Sequence, residues 1–587
     1  MNKQSTLKRL LLYTKPHTKQ LLLSFFILML ATGADVISPL LVKIFIDDFL
    51  IPRIFDWTSI FILALSYLLL LIASTVLNYF QLLFFQTTAL KIIHQIRVDV
   101  FSKVQRLGLS FFDKTPAGSL ISRITNDTEA IKDLFITVLS TFVQNIVFIV
   151  GILIAMLYLN IKLTLLYIIL LPIIFIIIKS YQYFSSKVFH LSRKKLSQLN
   201  TKLNESLQGM NIIQAMRQEK RFRNDFSKTN DEFYQASVKQ VKINALLART
   251  AVDFIYLVAL CLILGFFGIK SFDNVLEIGM VYAFINYLDR FFEPINTIMM
   301  RLGQFQQAIV ASERVFELLD EEDLAPIKLG NEFPTIEKGL IEFKNVSFSY
   351  DGKVDVLRNI SFTAKPGETV ALVGQTGSGK SSISNLLVRF YPLKHGEILI
   401  DGIPLQFYET DELRSKIGLV LQDAFLFSGD IKHNIRLNNE NINDLDITTA
   451  AKFVQADTFI EKLPLGYNEP VSERGATFSS GQRQLISFAR TMAINPNILV
   501  LDEATASIDS ETEELIQLAL KKMRTGRTTI AIAHRLSTIY DANLILVLHR
   551  GEIVDRGTHQ ELLRNKGLYF NMYLLQQGVN GGNAPAL

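Results

Sequence analysis

The sequence predicts an all-α membrane domain of six helices followed by an α/β nucleotide-binding domain built around a phosphate-binding loop. Three observations carry that prediction: long apolar segments crowded into the N-terminal half, the run GQTGSGKSS from Gly374 to Ser382, and the strand-like NILVLDE at 497–503. Composition agrees, since 49% hydrophobic residues make the chain too apolar for an ordinary soluble enzyme of 587 residues. The 43 Phe against one Trp suit a lipid-facing surface, and a net charge of +5 is too small to argue for a nucleic-acid partner. Cys261, the single cysteine, lies in an apolar run and reads as a core or lipid-facing residue rather than a nucleophile.

The chain opens with Lys3, Lys8, Arg9, Lys15 and Lys19, an amphipathic cytoplasmic lead-in rather than a secretory signal, because the apolar run behind it is too long and lacks a cleavage site. Apolar segments follow near 20–46, 58–85, 134–159, 161–181, 250–270 and 278–300, each close to the ~20 residues a spanning helix needs. The third and fourth are separated only by a turn at Asn160 and Ile161, and Pro39, Pro172 and Pro294 mark places where a span can kink. Lys91, Arg97, Lys103, Arg106, Lys114, Arg123 and Lys132 crowd one long loop, and 179–249 is similarly basic. The opposite loops carry Asp47, Asp48, Asp56 and Asp273, so the termini and the long loops are expected in the cytoplasm. Basic helices that bind nucleic acid are the alternative for those loops, opposed by the flanking spans. Both loops keep helical periodicity far beyond a bilayer's thickness and break at GLSFFDKTPAGSLISR and ESLQGMNIIQAMRQE, tips whose Phe111, Phe112 and Ile213 suit docking better than a solvated turn.

Domain limits are expected at 1–311 for the membrane part, 312–339 for an acidic, Pro- and Gly-containing linker, 340–576 for the nucleotide-binding part and 577–587 for a disordered tail. In the second domain, ETVALVG reads as a buried strand and SSISNLLVRF as a helix, so the glycine-rich run joins strand to helix. Gly374, Gly377 and Gly379 let the backbone turn so that N–H groups of Gln375, Thr376, Ser378 and their neighbours converge on an anion at a helix N-terminus. Lys380 adds positive charge, Ser381 offers a hydroxyl to magnesium, and Ser382 completes the run. In NILVLDE a buried strand ends in two carboxylates, with Asp502 placed to hold metal and Glu503 to act as general base on water.

These residues resemble an ATP-binding cassette exporter of the half-transporter, multidrug-resistance-like type, from Asn2 to about Gln577. The most specific marks are the phosphate loop, the Asp502–Glu503 strand and, between them, SERGATFSSGQRQLISFAR with Phe478–Gln482 at the signature position. The resemblance implies ATP and Mg2+ as cofactors. It implies that Tyr350 stacks on adenine, that Gln422 senses magnesium and the γ-phosphate, and that His534 contacts the γ-phosphate. Asp509 then falls in the loop through which two cassettes communicate, and Glu473 in the segment that meets the coupling helices. Ser479, Ser480, Gly481 and Gln482 would bind the γ-phosphate of ATP held by a second cassette, so a chain with one cassette must dimerise within the bilayer.

One departure stands out: the signature reads FSSGQ where LSGGQ is common, with Phe478 for Leu and Ser480 for the first Gly. A Cβ there either crowds the phosphate and forbids a positive φ, or brings a hydroxyl that donates to it. Altered signatures accompany heterodimers in this family, and with Glu503 and His534 intact a heterodimer is favoured over a homodimer. ATP binding is expected to close the cassettes, and tips near Phe111 and Ile213 to pass closure to the helix bundle. Intramembrane carboxylates invite a functional reading, with Asp35 and Asp253 as candidates for a cavity that receives hydrophobic or cationic compounds. Asp289 and Glu293 are expected instead to pair with Arg249, Arg290 or Arg301. The rivals are a lipid or lipid-linked flippase, a gated channel or regulator, which intact Glu503 opposes, and a soluble P-loop ATPase, which the spans oppose. A start close to the first span argues against an N-terminal protease domain, and the compact layout without an organelle leader suggests a bacterial inner or plasma membrane.

Overall fold

The computed structural model describes residues 3–270, 272, 277–502, 510–533 and 536–576. Glu503, Asp509, His534, Asp273 and the 577–587 tail lie outside them, as does the Arg249 side chain. The chain divides into two compact units, residues 1–105 with 116–321, and 106–115 with 322–587.

The first unit is helical throughout. Lys3–Thr14 precedes the long helix Thr18–Ile44, and a wide turn over Phe45–Leu50 ends it. Among the described residues five helical stretches are long and apolar enough to cross a membrane: Thr6–Leu50, Trp57–Arg106, Ala117–Leu159, Ile161–Gln208 and Glu219–Lys270. The segment expected as a sixth span begins the continuous helix Ile278–Leu319. Its apolar part carries Asp289, Arg290 and Glu293, which sets it apart from the other five. The same helix runs through SERVFELL, so the linker expected from residue 312 starts inside it.

Local chemistry accounts for the breaks. Asn160 leaves helical geometry (φ −158°, ψ 109°) and its side-chain Oδ1 accepts the Leu163 N–H at 3.2 Å, starting the next helix. That helix, Ile161–Ile168, halts before Leu170–Gln208, because Pro172 lacks the N–H that would reach Ile168 and its ring crowds that carbonyl. Pro39 and Pro294 sit inside unbroken helices. Trp57–Arg106, at 50 residues, is roughly 75 Å long, more than twice the ~30 Å hydrocarbon core. The helices Leu170–Gln208 and Glu219–Ile243 pack against each other, tied in their polar parts by Lys195–Glu232 and Lys202–Asp225 ion pairs.

The second unit is built on a six-stranded sheet. Its spatial order is Glu552–Gly557, Leu544–His549, Thr369–Gly374, Thr528–Ile532, Ile498–Asp502, Ile417–Val420, parallel except for the first strand. Both faces of the five parallel strands are buried, which is why they read as continuous apolar runs. In TVALVG, Val370 and Leu372 enter a core with Ile383, Ile498 and Ile532, while Ala371 and Val373 enter another with Leu485, Phe488 and Leu501. An antiparallel sheet of Leu357–Ala364, Ile341–Phe348, His395–Ile400 and Ile403–Pro404 caps the first core. Asp401 holds that corner. Burial pushes its pKa up, but N–H groups of Leu340, Lys338, Gly339 and Glu337 outweigh this and leave it below the ordinary carboxylate value.

Candidate functional site

Parallel register brings the carboxyl ends of four strands together, where a crevice forms in open α/β sheets. Ile532 pairs with Leu372 on one side and Asp502 on the other, and Leu501 pairs with Val420. Gly374, Asp502 and the start of the Gln422 segment therefore lie on one edge. His534 would follow from Ile532, and Glu503 from Asp502, both just past the described residues. Gln422 itself is exposed, two residues beyond its strand.

The phosphate loop joins Thr369–Gly374 to the helix Lys380–Leu387. Lys380 is 7% exposed, and its Nζ donates to the carbonyls of Gly374 at 2.7 Å and Gln375 at 3.0 Å, which curls the loop around the ammonium. Burial lowers the lysine's pKa, and the charge of nearby Asp502 opposes that shift. Gly377 and Gly379 have φ of +82° and +103°, as expected for a left-handed turn. Gly374 is different: its φ is not positive, and its role is space, since a Cβ would lie 2.3 Å from the Leu548 carbonyl oxygen and 2.6 Å from Ser378 Oγ. Nothing lies within 4 Å of a Cβ at Gly377, and Gln375 and Thr376 are exposed, so the loop's outer face is open. Ser378 Oγ is buried without a hydrogen-bond partner in the structure. An open loop at a helix N-terminus, a lysine and an orphaned hydroxyl fit a polyphosphate. Ser381, exposed on the first turn, and Asp502 are oxygen donors that fit Mg2+, which takes one or two protein oxygens and completes its shell with phosphate and water.

Tyr350 is part-exposed and held by its hydroxyl, 2.9 Å from Ser382 Oγ, while its ring meets Phe348 and Tyr391 edge-on at 4.8 and 5.0 Å. A ring fixed at one edge beside the phosphate loop leaves surface for an aromatic base.

The signature segment caps the helix Ser480–Ala493. Ser479 Oγ accepts the Gln482 N–H at 3.2 Å, and Gln482 Oε1 accepts the Ser479 N–H at 3.0 Å. Phe478 is buried, and Gly481 is the small residue packed inward. Ser480 is exposed, helical and without a positive φ, so the expected backbone penalty for replacing Gly is absent. Glu473 is exposed beside Arg474 (φ +57°) and Gly475 (φ +67°).

The first loop tip has a docking that spacing alone does not reveal. Arg106–Thr115 belongs to the second unit. The Gly108 N–H donates to the Asp323 carbonyl at 2.8 Å, Ser110 Oγ donates to Asp323 Oδ1 at 2.5 Å, and the Tyr391 hydroxyl donates to Asp113. Phe111 is buried. Burial and the Asp113 carboxylate both push the Tyr391 phenol's pKa upward, so it remains a donor at neutral pH. Tyr391→Phe is expected to weaken the docked tip by about 1.5–3 kcal/mol, the range for a hydrogen bond to a charged acceptor. Amide hydrogen exchange over 106–115 measures this, and unchanged protection would refute it. The second tip, Met210–Ala215, buries Ile213 but exposes Leu207, Ile212 and Met216.

In the membrane unit, a cavity of about 680 Å³ is lined by Tyr181, Asn244, Asp253, Tyr256, Asp289 and Glu293, with Asn296 and aromatic Phe292. Three of the four intramembrane carboxylates therefore share one space. Asp35 does not: it accepts from Ser74 and, at 3.4 Å, from Asn78, between two helices. Of the arginines expected to pair with Asp289 and Glu293, Arg249 has a side chain outside the described residues, and the other two turn elsewhere. Arg290 donates to the Asp35 backbone carbonyl at 2.9 Å, Arg301 to Gln304 at 2.9 Å, and Asp289 instead meets the Tyr256 hydroxyl. Asn244 and Tyr256 carried no sequence signal; Asn244 enters through the wide turn Asn244–Thr250, and its Oδ1 accepts from the Tyr181 hydroxyl at 3.2 Å. Cys261 is exposed on an apolar helix.

Residues 21–295 match the family described as ABC transporter transmembrane region, and residues 357–506 match that described as ABC transporter. A putative ABC transporter ATP-binding protein, exp8 of Streptococcus pneumoniae, is 44% identical over 98% of this chain and 99% of its own length. A probable multidrug resistance ABC transporter ATP-binding/permease protein, YheH of Bacillus subtilis, is 46% identical over 87% of this chain and 76% of its own. Among solved structures, a bacterial Atm1-family ABC exporter with ATP bound is similar at a TM-score of 0.80 and 25% identity, covering 97% of this chain and 99% of that one. The chain therefore belongs to the ABC transporters, as a half-transporter: a multi-pass membrane protein that dimerises and couples ATP hydrolysis in a cytoplasmic nucleotide-binding domain to transport.

Proposed function

We propose that this chain is one half of an exporter of hydrophobic and amphipathic compounds, including cations, of the multidrug type. The observation that carries the substrate reading is the cavity in which Asp253, Asp289 and Glu293 meet Tyr181, Tyr256 and Phe292. Carboxylates attract a cationic group, and aromatic walls accept the apolar body attached to it. The multidrug resistance named for the Bacillus subtilis relative supports the same class.

In this proposal Tyr350 stacks on adenine, and the loop from Gly374 to Ser382 holds the phosphates with Lys380. Ser381, Gln422 and Asp502 hold Mg2+, which when bound neutralises phosphate charge. Glu503 takes a proton from the attacking water, His534 contacts the γ-phosphate, and Asp509 relays between cassettes. Ser479–Gln482 close over the ATP of the partner, using the positive end of their helix. Nucleotide-driven closure is passed to the membrane helices by the two loop tips, alternating access to the cavity. A heterodimer is favoured over a homodimer because FSSGQ departs from the common signature while Glu503 and His534 are kept. The location proposed is the bacterial plasma or inner membrane.

The test is ATP hydrolysis by this chain purified alone in lipid, with its oligomeric mass recorded and Glu503→Gln as the blank. Turnover by a dimer of identical chains overturns the heterodimer. A silent preparation that still binds ATP supports it. For the substrate class, Asp253→Asn with Glu293→Gln is expected to raise the cation concentration for half-maximal stimulation of the complete transporter's ATPase about tenfold, near 1.4 kcal/mol. Stimulation by neutral compounds should remain. Asp35→Asn, outside the cavity, should spare both. Equal cation stimulation in all forms would remove the proposal.

A further inference from the structure

We propose that Gln576, the last residue of the helix Leu568–Gln576, is a positioning residue for ATP hydrolysis that acts through His534. Its role rests on the proposed contact of His534 with the γ-phosphate.

His534 and Arg535 lie between two fixed points of the chain. On one side the Ala533 N–H donates to the Leu372 carbonyl at 3.1 Å, which ties it to the strand that carries the phosphate loop. On the other, Leu536 opens the short helical turn Leu536–Ile539, and its N–H donates to Gln576 Oε1 at 2.9 Å. The opening N–H of such a turn has no carbonyl of its own turn to reach. Leu536 is only 2% exposed, so the acceptor has to come from elsewhere in the fold, and a side chain 40 residues later supplies it. A connection of two residues follows the placement of its ends, because each residue has only two soft dihedrals.

The helix that carries Gln576 is itself anchored. Tyr569 is fully buried, and its hydroxyl lies 2.7 Å from His559 Nδ1. Burial lowers the His559 pKa and raises that of the phenol, so at neutral pH Tyr569 donates to a neutral ring. The same imidazole packs against Tyr540, one residue beyond the turn, with ring centroids 4.4 Å apart. Asn543 then returns the chain to the phosphate-loop strand, where its Oδ1 accepts the Thr369 N–H at 2.8 Å and its own N–H donates to the Thr369 carbonyl at 3.0 Å. The helices His559–Asn565 and Leu568–Gln576 thus hold the turn at its start and just past its end, and the Gln576 contact falls two residues from His534.

The test compares Gln576→Leu, which removes the accepting oxygen, with Gln576→Glu, which keeps one, in the assembled transporter in lipid. Gln576 is exposed, so neither change leaves a cavity. Gln576→Leu is expected to lower kcat about fivefold, near 1 kcal/mol and the usual worth of one hydrogen bond. ADP affinity should not change, because ADP has no γ-phosphate. Gln576→Glu should stay near the wild type, and in single-turnover assays Gln576→Leu should add nothing to the loss caused by His534→Ala. Wild-type kcat in Gln576→Leu beside a slow His534→Ala would overturn the role of Gln576. So would an equal loss in both Gln576 variants, or a loss that adds to that of His534→Ala. Weakened ADP binding would mark a general loosening of the domain and overturn it as well. Full turnover by His534→Ala would remove the γ-phosphate reading, and the role of Gln576 with it, an outcome read from that variant alone.

Discussion

Glu503→Gln is expected to lower ATP turnover of the assembled transporter by about 10²–10⁴-fold, the usual contribution of a positioned general base. Nucleotide affinity should stay near that of the wild type. The strand Ile498–Asp502 is buried on both faces and pinned between two parallel neighbours, and it ends with Asp502 level with Ile532, on the carboxyl edge of the sheet. The amide keeps the shape and removes the basicity, which separates chemistry from binding. Single-turnover hydrolysis and equilibrium binding of a labelled ATP analogue measure the two quantities, and turnover near the wild-type rate would assign the base elsewhere.

Gly374→Ala is expected to be more damaging than Gly377→Ala, although both glycines lie in the same loop. At Gly374 the added Cβ would sit 2.3 Å from the Leu548 carbonyl oxygen, and backbone in a six-stranded sheet has little freedom to withdraw. The overpacking costs 1–3 kcal/mol or more, roughly, and moves the loop from which Lys380 is held. At Gly377 the space is open, and the cost is the left-handed backbone alone, about 1–2 kcal/mol. The Gly374 variant should therefore melt earlier in its nucleotide-binding domain and lose at least about tenfold in nucleotide affinity, near 1.4 kcal/mol. A variant that melts and binds like the wild type would mean that the strand end relaxes.

Much of the nucleotide site is legible because its chemistry is local. A loop that turns on glycine, a helix that opens on Lys380 and a strand that ends in Asp502 lie within short stretches whose periodicity shows their structure. The signature illustrates a limit: FSSGQ raises a question of backbone strain, and only the helical conformation of Ser480 answers it. The membrane carboxylates illustrate another. Asp35, Asp253, Asp289 and Glu293 all lie in apolar helices, yet three reach one cavity and Asp35 turns to Ser74 and Asn78.

By itself the sequence determined the two-domain plan, the apolar helices, their long extensions and the strand–loop–helix around the glycine-rich run. Each depends on the period of apolar residues or on backbone freedom at a few glycines, properties that neighbours along the chain settle among themselves. Tertiary structure alone decided that Asp113 meets Tyr391, that Gly374 is needed for space rather than for its torsion, and that Asp253, Asp289 and Glu293 line one cavity. Those outcomes depend on side chains far apart in the chain meeting in a close-packed interior, where an atom's neighbours, not its sequence position, set its energy.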